Sequence, residues 1–204
     1  LGTGKITRGA PMPTPRANFG TASWGRRIYV MGGIYGELRA IGQTNRTAIY
    51  DPITNVWSEG IPMSTPRETN AVVTNDGIIV AGGHRAPSTS DLNTVECFVP
   101  GKNQWLTLPD LGQPVGSCSA AGLENFVFLF GNFDPADKIL AYDLSTGTST
   151  VFKNGFTRAS QSTAVALNGL IYVIGGTGGG GDQRVMRDAM DNIQVFALAA
   201  KVER

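Results

Sequence analysis

His84 is the single histidine of the chain; Arg85 follows it directly and Asp91 lies seven residues further on. A general base or a metal site needs further partners beside a histidine. One histidine supplies at most one metal ligand, so the group by itself describes a polar loop rather than a metal centre or a catalytic dyad. Arginines recur at Arg16, Arg67 and Arg158. Guanidinium forks recognise carboxylates, and three of them on one rim of a channel would form a ring of donors for an anionic or carbohydrate ligand. The competing reading is architectural: a residue repeated unit by unit usually satisfies carbonyls or a carboxylate of the neighbouring unit. The run Gly175-Gly176-Thr177-Gly178-Gly179-Gly180-Gly181-Asp182 is superficially similar to a phosphate-binding loop. It lacks the Lys-Ser/Thr pair and the following helix that would present backbone amides to phosphate. Asp182, Asp188 and Asp191 match no calcium-loop spacing, and Arg184 and Arg187 interleave with them, which describes a solvated mixed-charge loop. Cys97 and Cys118 have no metal-like spacing and are read as buried thiols. The sequon Asn45-Arg46-Thr47 is placed in an exposed loop. No catalytic constellation, metal or cofactor is expected from these residues.

Something must hold these groups in place, and composition limits what it is. The chain has 204 residues, 41% of them hydrophobic and 16% charged, with 27 Gly and 11 Pro. Few charges with many turn formers fit an all-β protein and exclude helix bundles, collagen and disorder. The net charge of +1 comes without any basic cluster, so a nucleic-acid partner is not expected. Apolar runs are short, such as Phe126 to Phe130, so no membrane-spanning helix and no membrane insertion are expected. Leu1 stands where an initiator Met would be, which fits a soluble, processed or trimmed product; the compartment stays open, with secretion as one route.

Apolar strands end in a diglycine at Gly32-Gly33, Gly82-Gly83 and Gly175-Gly176, with a weaker copy at Gly131-Asn132. The steps between them are 50, 49 and 44 residues, the length of a four-stranded propeller blade. Each diglycine strand follows a strand of small residues, as at Thr69 to Thr74 or Ser117 to Ala121. Between the two, Asn75-Asp76-Gly77 and Asn168-Gly169 suit a tight turn with positive φ. A third strand, a turn such as Asp51-Pro52-Ile53-Thr54-Asn55, and a fourth strand carrying Trp57 or Trp105 complete each meander. Such a meander buries its faces only by stacking on neighbours, and the tryptophans are read as packing between outer strands.

These landmarks resemble the kelch repeat family: Pro15-Arg16, Gly32-Gly33, Tyr50-Asp51 and Trp57, repeated as Pro66-Arg67, Gly82-Gly83 and Trp105. The third unit departs at Val115-Gly116 and Gly131-Asn132, Arg158 is one residue out of register, and Thr148 to Val151 replaces a Trp strand. The expected fold is an all-β, kelch-type propeller in a single domain over 1–204, with units at about 13–57, 64–105, 109–151 and 155–198. Gly4-Lys5-Ile6-Thr7 is expected to supply the fourth strand of the last unit. Ring closure has three readings: four blades alone, a homodimer closing an eight-bladed ring, or part of a larger propeller.

Function is expected on the loops 34–46, 84–93, 133–138 and 177–191, with Tyr35, Glu37, Arg39, His84, Arg85, Asp91, Arg184 and Arg187 as the candidate face and Arg16, Arg67 and Arg158 at the channel rim. The resemblance implies a non-catalytic module that binds a protein or glycan partner. Rival readings are a metal-independent enzyme similar to the kelch sialic acid mutarotases, using Arg16, Arg67, Glu37, His84 and Asp91, and a structural subunit of a larger assembly. A copper site of the galactose-oxidase kind uses two histidines, which sets that activity aside.

Overall fold

The computed structural model describes residues 4, 6–37, 40–85, 90–116, 118–132, 137–152, 155–157, 159–177 and 189–198. In chain order the first blade runs β1 (Gly20–Trp24), β2 (Arg27–Met31), a small hairpin β3 (Ile34–Glu37) and β4 (Ala40–Gln43), then β5 (Thr47–Asp51) and β6 (Val56–Glu59). The second runs β7 (Val72–Val73), β8 (Ile78–Ala81), a hairpin β9 (His84–Arg85) and β10 (Ser90–Asp91), β11 (Val95–Val99) and β12 (Gln104–Leu108). The third is β13 (Ser119–Leu123), β14 (Phe126–Phe130), β15 (Ile139–Asp143) and β16 (Thr148–Phe152); the fourth is β17 (Thr163–Leu167), β18 (Leu170–Ile174) and β19 (Ile193–Ala197). Every blade is an antiparallel meander, and the four are arranged as the blades of a β-propeller.

Alternation along the strands decides which side chains fill the spaces between blades. Tyr29, Met31 and Ile49 of the first blade meet Ile78, Val80 and Phe98 of the second. The other face of the second blade, with Ile79, Ala81, Val95 and Cys97, packs on Val127, Leu129, Leu140 and Tyr142 of the third. Phe128, Phe130 and Ile139 then meet Ile171, Val173 and Phe196 of the fourth, where the Phe128 and Phe196 rings are 4.9 Å apart. The run Phe126 to Phe130 is therefore a strand whose side chains serve two interfaces in turn.

The diglycine has a steric cause. A Cβ on Gly32 would stand 2.5 Å from the carbonyl oxygen of Arg67, on the segment leading to the next blade, and one on Gly82 would run into the carbonyl of Val115. The second glycine faces the linker of its own blade: a Cβ on Gly33 would be 2.6 Å from the Ala17 carbonyl. Backbone bonds fix these approaches, with the Gly33 amide donating to Arg67 and the Gly83 amide to Val115, each at 2.8 Å.

The outer hairpins clamp the linkers. Asn55 and Asn103 both adopt positive φ, at 57° and 45°. Their carboxamide oxygens accept from the Ala10 and Ile61 amides at 2.6 and 3.2 Å, and the indoles of Trp57 and Trp105 donate to the carbonyls of the same two residues at 2.9 and 2.8 Å. Trp57 also packs on Tyr50, and Trp105 on Phe98, with ring centroids 5.0 and 5.1 Å apart.

Three expectations change. Asn168 and Gly169 adopt positive φ, but Asn75, Asp76 and Gly77 do not; Gly77 is required because a Cβ there would strike the Phe98 carbonyl. The connections after the first two diglycines are hairpins, β3–β4 and β9–β10, rather than irregular loops. Among the described residues the fourth sheet has three strands, and Gly4, Ile6 and Thr7 of the expected closing segment belong to none. The reason is local: Ala10 is held against the first blade by Asn55 and Trp57, and Ile6, just before it, is 92% exposed.

Gly25 and Gly82 share a backbone, with φ of 61° and 63°, but a Cβ on Gly25 would meet nothing within 4 Å. Gly25→Ala is therefore expected to cost about 1 kcal/mol for its left-handed conformation, and Gly82→Ala about 3 kcal/mol or more because the Val115 backbone must also retreat. Urea unfolding of the two variants checks the difference; equal losses would show that the close approach carries no weight.

Candidate functional site

The hairpins β3–β4 and β9–β10 emerge directly after the diglycines, and a chain of polar side chains joins them. Gln43 Nε2 donates to the His84 carbonyl at 3.0 Å and to Glu68 Oε1 at 3.3 Å, while Asn18 Nδ2 donates to Glu68 Oε2 at 2.7 Å. Glu68 and His84 also exchange backbone bonds at 3.0 Å. His84 Nδ1 lies 3.1 Å from Asp91 Oδ1, its partner across the hairpin. The Asp91 carboxylate fills the space where a Cβ on Gly116 would stand, and the Gly116 amide donates to Asn132 Oδ1 at 3.1 Å. The network thus crosses from the first blade through the second to the third.

His84, read from the sequence as a solvated loop histidine, instead pairs with Asp91, their side chains 17% and 21% exposed. Tyr35 lies 44% exposed over Gly42, whose small size makes room for the ring. Ile41 is 62% exposed on the other side of the same hairpin, and Arg85 is exposed on β9. Glu37 ends β3; Arg39, Arg158, Arg184 and Arg187 lie outside the described residues, as do Asp182, Asp188 and most of the glycine-rich run. Sequence reasoning missed Asn18, Gln43, Glu68 and Asn132. The available signal was positional, since Asn18 and Glu68 lie one or two residues beyond the recurring arginines and Asn132 replaces the second glycine of a diglycine.

Arg67 does not stand at a channel rim. Arg67 is completely buried, its Nη1 donating to the Gly82 carbonyl at 2.8 Å and its Nη2 paired with Glu96. Burial pushes the Arg67 guanidinium down from its usual value, and Glu96 pushes back. Glu96 Oε1 in turn accepts from the Ser64 amide at 2.9 Å. Removing Arg67 from the solvent-facing set takes a central donor from the mutarotase-like arrangement. Arg16 is half-buried, donates to the Val30 carbonyl at 3.2 Å, and leaves its Nε buried without a partner.

The repeat shows how the buried pair is dispensable. In the third unit Val115 stands at the arginine position and Leu140 at the glutamate position, opposite Leu129 as Glu96 is opposite Val80. The smaller side chain leaves a cavity of about 140 Å3, lined by Val115, Leu129, Leu140, Asn132 and Lys138 among others.

Two further expectations meet the structure. The Asn45 sequon is not an exposed acceptor: the Asn45 carboxamide donates to the Met63 carbonyl at 2.8 Å and Thr47 is fully buried. Cys97 and Cys118 are buried free thiols in the same apolar cluster. Burial pushes the Cys118 thiol up to about 12. Among the described residues no three His, Cys, Asp or Glu side chains gather as metal ligands, and no helix is long and apolar enough to cross a membrane.

Glu96→Ala leaves a buried guanidinium without its carboxylate and is expected to cost about 3–5 kcal/mol. Arg67→Val with Glu96→Leu copies the third unit and should lie within about 1–2 kcal/mol of the parent. A double-mutant cycle by urea unfolding reads the coupling; additive losses would deny it. Cys118 holds its proton more tightly folded than unfolded, so its contribution is intact below about pH 9 and is lost as pH rises from 9 toward 12. Reaction of Cys118 with a disulfide reagent at pH 8 should accordingly follow the rate of structural opening, independent of reagent concentration at high excess.

A family profile described as Kelch motif matches residues 15–64 and again 67–112. Kelch-like protein 25 of Xenopus tropicalis is 27% identical over 177 residues, covering 83% of this chain and 30% of the relative. Kelch-like protein 23 of Homo sapiens is 30% identical over 155 residues, 73% of this chain and 27% of the relative. Kelch-like protein terF of Aspergillus terreus is 28% identical over 222 residues, 97% of this chain and 46% of the relative. The chain thus spans less than half the length of these relatives. With two matched motifs, two further units of the same strand order and the diglycine interfaces that join them, the chain belongs to the kelch-repeat β-propellers.

Proposed function

We propose that the chain is a protein-binding module whose contact surface is built on the two hairpins above the diglycines. One observation carries the reading: Gln43 bonds both the His84 carbonyl and Glu68, so hairpins from different blades are tied into one platform. A surface held this way loses little conformational entropy when a partner docks. Tyr35 and Arg85 are exposed there, and aromatic and arginine side chains on a rigid support are the composition of interface hot spots. The His84–Asp91 pair serves as a brace of the second hairpin, since it joins side chains that face each other across β9 and β10.

Panning a displayed random-peptide library against the chain tests this. Enriched peptides should lose about tenfold or more in affinity on Tyr35→Ala or Arg85→Ala, with the thermal midpoint unchanged. Peptides that bind both variants as well as the parent would place recognition elsewhere. Binding to a glycan array that Tyr35→Ala abolishes, with no peptide enriched, would replace a protein partner by a carbohydrate one.

A further inference from the structure

The third blade holds a cavity where the second holds a buried ion pair. In the second blade Arg67 Nη1 donates to the carbonyls of Gly82 and Thr94 at 2.8 and 3.3 Å, with Glu96 as the counter-charge. Gly131 and Lys138 stand at the positions of Gly82 and Thr94 and repeat their backbone bond, each at 3.0 Å. Val115 and Leu140 replace the arginine and the glutamate. A valine side chain has no donor, so the Gly131 carbonyl loses the partner that the repeat supplies to Gly82. The space of the guanidinium is left as the cavity of about 140 Å3, which both Gly131 and Lys138 line.

The walls limit what can enter. Val115, Leu129 and Leu140 are buried and form the floor, while Pro114 is exposed and Asn132 half-buried at the rim. A guanidinium or ammonium from outside would be buried without the carboxylate that Arg67 has, and an isolated buried charge is costly. A carboxylate would meet the Gly131 carbonyl oxygen with no proton to share, and Lys138 has Asp137 as its chain neighbour, so that segment carries no net charge to draw an anion. A cavity of about 150 Å3 lined by apolar side chains admits a benzene-sized molecule, so this one has room for the isobutyl group of a leucine. The occupant that fits is neutral, mostly apolar, and brings one hydrogen-bond donor. The rim also adjoins the hairpin network, because Asn132 accepts from the Gly116 amide and Asp91 of the second hairpin stands against Gly116.

We propose that this cavity anchors one leucine-like side chain of the protein partner. The side chain rests on Val115, Leu129 and Leu140, and the backbone N–H of the same residue donates to the Gly131 carbonyl in place of the missing guanidinium. The inference rests on the protein-binding reading and adds a specificity to it: the partner presents an aliphatic residue next to the segment that meets Tyr35 and Arg85. A single side chain filling a desolvated pocket is the form in which interfaces concentrate their binding energy.

N-acetyl-leucinamide titrated into the 204-residue chain tests the anchor without any partner. Methyl NMR spectra should show saturable shifts of Val115, Leu129 and Leu140 in the millimolar range. N-acetyl-glycinamide and N-acetyl-lysinamide should leave these methyls in place. Val115→Arg with Leu140→Glu copies the second blade into the cavity and should weaken binding about tenfold or more. No saturable shift, equal shifts with the glycine compound, or full binding to the filled variant overturns the proposal. Because that variant changes two core residues, NOEs from the ligand methyls to those of Val115 and Leu140 in the parent chain give a second readout, and their absence at saturation also overturns it. A failed titration beside enriched peptides that still depend on Tyr35 and Arg85 overturns the anchor and leaves the hairpin platform standing. A saturable titration with no peptide enriched supports the cavity and removes the platform.

Discussion

The structure depends on a backbone carbonyl entering space that any side chain would fill. At Gly32 and Gly82 the linker of the following blade lies against the glycine Cα, and its carbonyl accepts the amide of the next residue, Gly33 or Gly83. This fixes the distance at which blades stack, and the apolar rows on either side then fill the remaining gap. Glycine is needed both for its positive φ and for the close approach. The same approach explains why the linker arginine cannot reach solvent: its backbone is pinned to the preceding blade while its side chain runs under the blade that follows.

One position in the repeat has four chemical solutions. The second unit pairs Arg67 with Glu96, and the third substitutes Val115 and Leu140 together. The first retains Arg16 but has Ala48 opposite, and the fourth uses Gln194, which bonds both the amide and the carbonyl of Thr157 at 2.6 and 2.9 Å. A buried charge without its partner is costly, whereas a buried pair and an apolar pair are both tolerable. Arg16 is half-buried, with its Nε left without a partner.

The scaffold separates stability from recognition. Blade faces are committed to stacking, so variation falls on the hairpins after each diglycine, which carry Tyr35, Ile41, His84 and Arg85 on backbone braced by Glu68 and Asp91. That arrangement suits a surface that changes its side chains without moving its strands.

The sequence by itself determined the propeller, its four units and the diglycine turns, because a repeat of about fifty residues with glycine at one phase leaves few alternatives. It also placed His84 and Asp91 in one connection after a diglycine, though their pairing across β9 and β10 came only with the structure. Only the tertiary structure decided the fate of Arg67, the covering of Asn45 and Thr47, and the union of Asn18, Gln43 and Glu68 from separate blades. Spacing along a strand tells which face a residue takes, but not what the adjoining blade places against it. Arg16 and Arg67 share a motif and differ in burial: Arg67 is completely buried against Gly82 and Glu96, and Arg16 is half-buried.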